Sequence, residues 1–256
     1  MILSKSGWSP GPGRPQWPNG EVHVWRATLD WPSKSLAGLE QCLSSDERER
    51  LERFRFERDS RRYLVGRGAL RTVLGRYLDV GPERLRFDYT PFGKPYLTPG
   101  LMGDVTAFED LIFNVSHSGK LLLIAVAAGR ALGIDVEQVR ADVEVESIAA
   151  RYFSPREQSA LAKLTGMEQV EAFFDCWTRK EAYIKAKGDG LSLPLDQFDV
   201  SLLPGEAARL LETRPDRDEA RRWDLIELDV AAEYKAALAV EGTGWTLRCW
   251  DYPPEQ

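Results

Sequence analysis

Long apolar runs are missing from this chain of 256 residues. The longest uninterrupted one, Leu121 to Ala128, has eight residues, whereas about 20 are needed to span a bilayer. It therefore predicts a buried strand and not a membrane helix. Residues 1–20 lack the apolar stretch of a secretory signal, and their four prolines favour a loose N-terminal tail.

Cysteine and histidine are scarce as well. The three cysteines, Cys42, Cys176 and Cys249, are far apart in the sequence and form neither a metal-ligand pattern nor a disulfide framework. This spacing favours a reducing, cytoplasmic location. With only His23 and His117, the chain offers no histidine cluster of the kind that activates water in a phosphohydrolase.

Charge is distributed unevenly along the chain. The net charge is −6, and the pI of about 5.2 argues against a general nucleic-acid binder. Within this acidic chain, residues 48–76 hold ten arginines against four acids. Such a segment can bind a phosphorylated ligand or an acidic partner, although a solvated helix face is its more ordinary interpretation.

Hydrophobic residues make up 43% of the chain, enough for the core of one large domain or two small ones. Periodicity and turn residues predict strands at 22–27, 112–115, 121–128, 131–136, near Phe198, 223–230, 234–240 and 245–250. Predicted helices begin at Ser44, near Arg61, at Ser154 and near Met167, and the last ends at Gly188. Blocks of helices and strands favour an α+β fold. We expect a tail (1–20), an N-terminal α+β subdomain (21–128) and a C-terminal one (129–256).

Two carboxylates lie two residues apart in Gly133-Ile134-Asp135-Val136-Glu137. On a strand such residues point to the same side, so Asp135 and Glu137 form a hard-oxygen pair that suits Mg²⁺. An isolated pair of this kind is nevertheless more often an exposed acidic strand end. The sequence alone leaves both interpretations open.

A second acidic and basic group occurs in the predicted helix Trp177-Thr178-Arg179-Lys180-Glu181-Ala182-Tyr183-Ile184-Lys185. Trp177, Glu181 and Lys185 share one stripe at helical spacing. Glu181 and Lys185 are either an ordinary surface pair, or a third metal carboxylate with a lysine that stabilises phosphate charge.

Two weaker signals precede these motifs. Asn114 to Gly119 ends a predicted strand with small polar residues and His117, which is the composition of an anion site. Phe92 to Pro95 places Lys94 on a rigid turn. A lone histidine is more often structural, and a lone loop lysine carries little information.

In their order and spacing, these motifs resemble the 4′-phosphopantetheinyl transferases, most closely the surfactin-type, single-chain branch. The matching segments are F-G-K-P at 92–95, N-V-S-H-S at 114–118, G-I-D-V-E at 133–137 and, after 39 further residues, W-T-R-K-E-A-Y-I-K at 177–185. The resemblance extends from about residue 44 to residue 234 and includes G-L-S-L-P-L at 190–195.

The resemblance implies a pseudodimer of two similar α+β subdomains, with coenzyme A bound between them. Asp135, Glu137 and Glu181 would bind Mg²⁺. Ser116 and His117 would contact the phosphates, Glu181 would accept the serine proton, and Lys185 would stabilise the departing phosphate.

Further basic residues would bind the 3′-phosphate of coenzyme A. Lys94 and Arg50 match family positions with this role, and Arg62 is expected to help. Some relatives carry two basic residues, three apart, before the first long helix. Glu47 occupies the earlier position here, so the set of 3′-phosphate contacts is left open.

The implied reaction moves the 4′-phosphopantetheine moiety of coenzyme A to a serine of an apo-acyl or peptidyl carrier protein, giving holo-carrier protein and 3′,5′-ADP. The implied enzyme is Mg²⁺-dependent, monomeric and cytoplasmic, with a role in fatty-acid, polyketide or nonribosomal peptide synthesis, and has no nucleic-acid or membrane partner. Two alternatives stay open. One is a non-catalytic relative that only binds coenzyme A or a carrier protein, and the other is a Mg²⁺-dependent phosphohydrolase.

Overall fold

The computed structural model describes residues 7–98, 110–188 and 193–252. The strands are β1 Ser9–Pro10, β2 Glu21–Thr28, β3 Phe87–Tyr89, β4 Pro95–Leu97, β5 Leu111–Ser118, β6 Leu121–Ala128, β7 Leu132–Gln138, β8 Phe198–Val200, β9 Leu210–Thr213, β10 Trp223–Glu227, β11 Tyr234–Glu241 and β12 Thr246–Asp251. The α-helices are α1 Ala37–Cys42, α2 Ser45–Glu52, α3 Glu57–Leu78, α4 Val145–Tyr152, α5 Pro155–Leu161 and α6 Gly166–Lys187. In these ranges no helix has both the length and the apolar character to cross a membrane.

The first sheet has the strand order β1-β12-β2-β6-β5, and α3 packs against one of its faces. Its central strand β6 is the apolar run 121–128, and both faces of this strand are buried. Leu122, Ile124 and Val126 contact the core under α3, while Leu123 and Ala125 face a second sheet. A near-continuous apolar sequence is what a strand buried on both faces requires, and the predicted buried strand is confirmed.

The second sheet has the order β10-β11-β7, and α6 packs on it with a separate core. A further apolar cluster lies between the two sheets, because alternate residues of β7 and β11 point away from α6. Each half of the chain therefore pairs one 22-residue helix with one sheet. The α+β fold is confirmed, and the edges β5 and β7 face each other where the halves meet.

The predicted loose tail is wrong for the described part of residues 1–20. β1 pairs in parallel with β12, the Trp8 indole donates to the Asp229 carbonyl at 2.6 Å, and Trp17 packs against the first core. Apolar burial and the unpaired edge of β12 account for this ordering.

The last strand also joins the other half of the chain. β12 pairs in parallel with β2, so a C-terminal strand completes the N-terminal sheet. The division at residues 128 and 129 stays a prediction, and a simple cut there would remove β12 from the first sheet. Residues 190–192 of the G-L-S-L-P-L motif lie outside the described ranges.

Candidate active site

The facing edges of the two sheets are joined by side chains and not by a backbone ladder. Three polar residues of β5 point towards β7 at every second position, as strand geometry dictates. Each accepts a hydrogen bond from a β7 backbone N–H: Asn114 Oδ1 from Ile134 at 2.9 Å, Ser116 Oγ from Val136 at 3.3 Å, and Ser118 Oγ from Gln138 at 3.1 Å. The N-V-S-H-S segment therefore closes an otherwise exposed edge of the second sheet.

The same two serines hold the carboxylates of β7. The hydroxyl of Ser116 donates to Asp135 Oδ1 at 2.8 Å, and that of Ser118 donates to Glu137 Oε2 at 2.7 Å. The strand-face prediction for Asp135 and Glu137 thus agrees with the structure. The Ser116 hydroxyl is engaged by a carboxylate in this structure, and its contact with a phosphate stays a prediction.

Helix α6 brings Lys185 to this pair. Its ammonium donates to Asp135 Oδ1 at 2.6 Å and to Ser116 Oγ at 3.1 Å. The close approach depends on Gly133, because a Cβ there would lie 2.2 Å from the Ala182 carbonyl oxygen and 2.8 Å from the Lys185 carbonyl carbon. The glycine of G-I-D is therefore a packing requirement that places α6 on β7.

Three carboxylates share this region, and burial raises the pKa of each of them. Burial raises the pKa of Asp135, although Lys185 and Ser116 oppose the shift. Burial, followed by the charge of Asp135, raises the pKa of Glu181. For Glu137, burial raises the pKa, its bond to Ser118 lowers it, and the charge of Asp135 raises it further. Carboxylates that repel one another inside a cleft are stabilised in their charged form by a nearby cation.

The donor set fits a hard divalent cation. Asp135 is 3% exposed, and its Oδ2 is buried without a hydrogen-bond partner among the described residues. This carboxylate oxygen has no hydrogen-bond partner in the described ranges, and the charge of Asp135 raises the pKa of both Glu137 and Glu181. Such a set of carboxylate oxygens suits Mg²⁺. The ammonium of Lys185 donates a hydrogen bond to the other carboxylate oxygen of Asp135, Oδ1. Within residues 7–98, 110–188 and 193–252, no three histidine, cysteine or acidic side chains form a ready-made metal cluster.

A cavity of about 640 Å³ opens beside these groups, and we call it the arginine cavity. The α3 residues that line it are Asp59, Arg62, Tyr63, Gly66, Arg67 and Leu70, with the spacing of one helical face. Arg50, Phe54 and the β5 end, including His117, complete the wall. Three of the expected residues, Arg50, Arg62 and His117, are therefore brought together.

His117 connects this cavity to the acidic cluster. Burial, followed by the charge of Lys185, lowers its pKa, and Arg62 acts in the same direction. Arg62 also binds Asp30 through two nitrogens, each at 3.2 Å. A neutral imidazole can donate a hydrogen bond to a phosphate without adding charge.

Lys94 lies elsewhere. Its ammonium donates to the backbone oxygens of Lys185 at 2.6 Å and Leu132 at 3.3 Å. It lines a smaller cavity of about 290 Å³ with Glu181 and Lys185, which we call the lysine cavity. Lys94 and Arg50 line different cavities, and the two cavities share Pro95 and Val115 as walls.

Not every polar residue of the 177–185 motif faces the cleft. Lys180 is fully buried, pairs with Glu157 at 2.8 Å, and donates to the carbonyls of Leu195 and Phe198 at 2.7 Å each. Arg179 is also buried and donates to the Ser201 carbonyl at 2.7 Å. These residues attach α6 to its neighbours, whereas Glu181 and Lys185 serve the cleft.

Sequence reasoning missed four contributors to the site. Asn114 and Ser118 were visible in the every-second-residue polarity of β5, and Gly133 was visible only as part of a motif. Arg67 carried no local signal that separated it from the other arginines of segment 48–76.

An acidic cluster, a lysine beside it and an arginine-lined cavity define a protein that binds an anionic, phosphorylated ligand. Two family models match the chain in agreement with this class. Residues 131–239 match the 4′-phosphopantetheinyl transferase superfamily, and residues 27–129 match the N-terminal region of 4′-phosphopantetheinyl transferases.

Three curated relatives match between 62% and 96% of this chain. The chain is 42% identical to the 4′-phosphopantetheinyl transferase HetI of Nostoc sp., over 96% of this chain and 98% of the relative. It is 31% identical to a phosphopantetheinyl transferase of Thraustochytrium sp. over 88% of this chain and 80% of that one. It is 37% identical to the 4′-phosphopantetheinyl transferase Sfp of Bacillus subtilis over 62% of this chain and 66% of the relative. The chain belongs to the 4′-phosphopantetheinyl transferase family, and the resemblance found in the sequence is confirmed.

Proposed function

We propose that this protein transfers the 4′-phosphopantetheine moiety of coenzyme A to a serine of an apo-acyl or peptidyl carrier protein, giving holo-carrier protein and 3′,5′-ADP. The observation that carries the proposal is the contact of Lys185 with Asp135 and Ser116, set between Glu181 and the arginine cavity. Carboxylates that can bind a cation therefore lie in one cleft with basic side chains that can bind phosphates. Phosphoryl transfer depends mainly on this kind of positioning and charge stabilisation.

Each side chain has a distinct proposed task. Lys185 would stabilise the phosphate charge that develops as 3′,5′-ADP leaves, since its ammonium is already fixed beside the acidic cluster. His117 and Arg62 would bind phosphate oxygens from the neighbouring wall. Glu181, which shares the lysine cavity with Lys185, would accept the serine proton directly or through a water molecule.

Asp135, Glu137 and Glu181 are the residues proposed to hold Mg²⁺. When bound, the ion would neutralise and orient the diphosphate of coenzyme A. The support is the orphaned Oδ2 of Asp135 and the mutual repulsion of the three carboxylates. Ser116 and Ser118 fix the rotamers of Asp135 and Glu137, which lowers the ordering cost of binding.

The two alternatives make different demands on the same cleft. A non-catalytic binding protein has no need for an intact set of three carboxylates with a lysine, and this chain keeps all four. A phosphohydrolase needs a group that activates water, and among the described residues His117 is the one histidine that lines the arginine cavity. The transferase is therefore the function that the site supports best.

The deciding experiment incubates the protein with Mg²⁺, coenzyme A and an apo-carrier protein and measures the intact mass of the carrier. A mass gain equal to the phosphopantetheine arm is expected. Phosphate release with an unmodified carrier would indicate hydrolysis. Binding of coenzyme A with neither product would indicate a non-catalytic relative.

We further propose that the enzyme is a cytoplasmic monomer that acts in fatty-acid, polyketide or nonribosomal peptide synthesis. The support is the family membership together with the sequence features described above. Size-exclusion chromatography with light scattering tests the monomer, and a panel of apo-carriers from the three kinds of pathway tests the acceptor.

Coenzyme A binding is expected to weaken as the pH rises from about 7 to about 9, because Lys94 is proposed to contact a phosphate. Burial lowers the pKa of Lys94 to about 8, so in the free protein its ammonium is charged below that pH and neutral above it. Because a phosphate favours the charged form, binding must take up a proton above the pKa, and affinity falls by up to about tenfold per pH unit. Calorimetric Kd values across this range provide the measurement.

Substitution Lys94→Met should flatten this pH profile, whereas Lys163→Met, which removes an exposed lysine, should leave it unchanged. Repeating the titration with 3′-dephospho-coenzyme A identifies the phosphate concerned. If the pH dependence of coenzyme A binding is the same in Lys94→Met as in wild type, Lys94 serves only to attach its turn to α6 through the Lys185 carbonyl.

A further inference from the structure

The turn between β5 and β6, residues 118–121, lies where the two halves of the chain meet. Gly119 has a φ of 56°, a left-handed conformation that residues with a Cβ rarely adopt. A Cβ on Gly119 would collide with the side-chain oxygen of Gln138 and would lie 2.7 Å from the hydroxyl of Tyr234. The turn therefore packs directly against the ends of β7 and β11, and only a glycine fits at this position.

Tyr234 holds this turn from the side of the second sheet. Its hydroxyl accepts a hydrogen bond from the Lys120 backbone N–H at 3.1 Å. From the other half of the chain, the Leu29 N–H donates to the Lys120 carbonyl at 2.7 Å. Tyr234 is itself placed by the pairing of β11 with β7, where it lies opposite Gln138. The backbone of Lys120 is thus fixed between the two halves, and Tyr234 supplies the contact from the second sheet.

The same turn presents the hydroxyl of Ser118 to Glu137. Ser118 Oγ donates to Glu137 Oε2 at 2.7 Å and accepts the Gln138 N–H at 3.1 Å. Lys185 gives Asp135 a charged partner as well as a serine. For Glu137, Ser118 is the one hydrogen-bond donor in the part of the chain that the structure describes. The orientation of the Glu137 carboxylate therefore depends on where the turn holds Ser118.

We propose that Tyr234 is a positioning residue for the cation site. It holds the 118–121 turn, and through Ser118 it keeps the Glu137 carboxylate in its observed orientation, without binding the ion itself. This inference rests on the proposed function, which assigns Glu137 to Mg²⁺. Loss of a group that orients a metal ligand directly typically weakens metal binding by about 10- to 100-fold. Tyr234 acts one step further away, so a smaller effect, about three- to tenfold, is expected.

The test is a calorimetric titration of Mg²⁺ into the protein with coenzyme A at saturation. Tyr234→Phe removes the hydroxyl and keeps the ring, so the Kd of Mg²⁺ should rise by about three- to tenfold. Because no reacting group is lost, kcat at saturating Mg²⁺ should stay within about twofold of wild type. Tyr77→Phe is the matched control, since it removes a hydroxyl that hydrogen-bonds to His23 and Trp25 in the first core. It should lower the melting temperature but leave the Kd of Mg²⁺ within about twofold.

A pair of glycine substitutions tests the same contact by a second route. Gly119→Ala forces the turn away from Tyr234 and Gln138 and should weaken Mg²⁺ binding by about tenfold or more. Gly129 is the matched control, because it lies in the turn after β6 with a φ of 57°, and a Cβ there would meet no described atom within 4 Å. Gly129→Ala carries the same backbone strain and should leave the Kd of Mg²⁺ within about twofold.

A double-mutant cycle separates positioning from a general loss of structure. If Tyr234 acts through Ser118, Tyr234→Phe should weaken Mg²⁺ binding by less than about twofold further in a Ser118→Ala background. An unchanged Kd in Tyr234→Phe, or the same loss with and without the Ser118 hydroxyl, would overturn the role of Tyr234. Failure of the wild-type complex with coenzyme A to bind Mg²⁺ would instead overturn the metal site of the proposed function.

Discussion

Replacing Asp135 with asparagine is expected to reduce carrier modification by about 10²–10³-fold or more while the protein stays folded. Asp135 is the most buried of the three acids, holds Lys185 at 2.6 Å, and has one carboxylate oxygen left for a cation. Asparagine keeps the shape of the side chain and can still accept the hydrogen bond from Ser116. It removes the negative charge that pairs with Lys185 and that would bind the cation. Because the Lys185 side chain is 29% exposed, water can solvate it after the substitution. Initial rates of holo-carrier formation and the melting temperature are the two measurements.

Asp175→Asn is the matched control for this prediction. Asp175 is a mostly buried aspartate on α6 that pairs with Lys235 at 3.2 Å, and it lines a different cleft. The Asp175→Asn substitution should leave the rate of transfer within about threefold of wild type. Asp175 resembles Asp135 in being mostly buried and paired with a lysine, but it does not lie in the candidate active site. Glu181→Gln should behave like Asp135→Asn. Near-normal turnover of either site variant in saturating Mg²⁺ would show that the three acids do not share an ion.

The second large effect is expected from Lys180, and it concerns stability and not chemistry. Lys180→Met should lower the free energy of unfolding by about 3–5 kcal/mol, because Glu157 keeps its charge in an interior without a counterion. Glu157 is 1% exposed and would retain the backbone donors of Ser154 at 2.9 Å and Val200 at 2.8 Å and a hydrogen bond with the Cys176 thiol, but no cation. For a chain of this size the melting temperature should fall by about 10 °C.

Two further variants separate burial of the pair from the loss of a lysine as such. Lys163→Met removes an exposed lysine and should change stability by no more than about 0.5 kcal/mol. The double variant Glu157→Gln with Lys180→Met should recover part of the loss, because no unpaired charge stays in the core. Full stability of Lys180→Met with lost transfer would contradict the structural role and place Lys180 in the chemistry.

Local patterns in the sequence were sufficient for several parts of the site. The two-residue spacing of Asp135 and Glu137 fixes a shared strand face, and the four-residue spacing of Glu181 and Lys185 fixes a shared helix stripe. The capping box at Ser154 starts α5, and Gly188, with a φ of 75°, ends α6. Each of these features depends on backbone geometry over a few residues. The helices α1 and α4 were missed, because their segments are short, with six and eight residues.

Interactions between residues distant in the sequence were decided only by the tertiary structure. The pairing of β12 with β2 joins segments more than 200 residues apart, and no local period reports which edge a strand will cover. Ser116 was expected to contact a phosphate, which stays a prediction, and only the approach of β5 to β7 shows that its hydroxyl also binds Asp135. Lys94 was expected beside Arg50, but the packing of α6 offers its ammonium two carbonyl oxygens instead.

The sequence by itself therefore determined the family, the α+β class and the residues of the acidic cluster, because spacing along a strand or a helix is a local property. The tertiary structure decided which charges act together. Arg67 shows the difference, since it is one of ten arginines in segment 48–76 and differs from the others through its contacts with Glu47, Phe87 and Tyr89. The sequence shows which side chains are charged. Their partners depend on tertiary packing, because packing brings together residues that are distant along the chain.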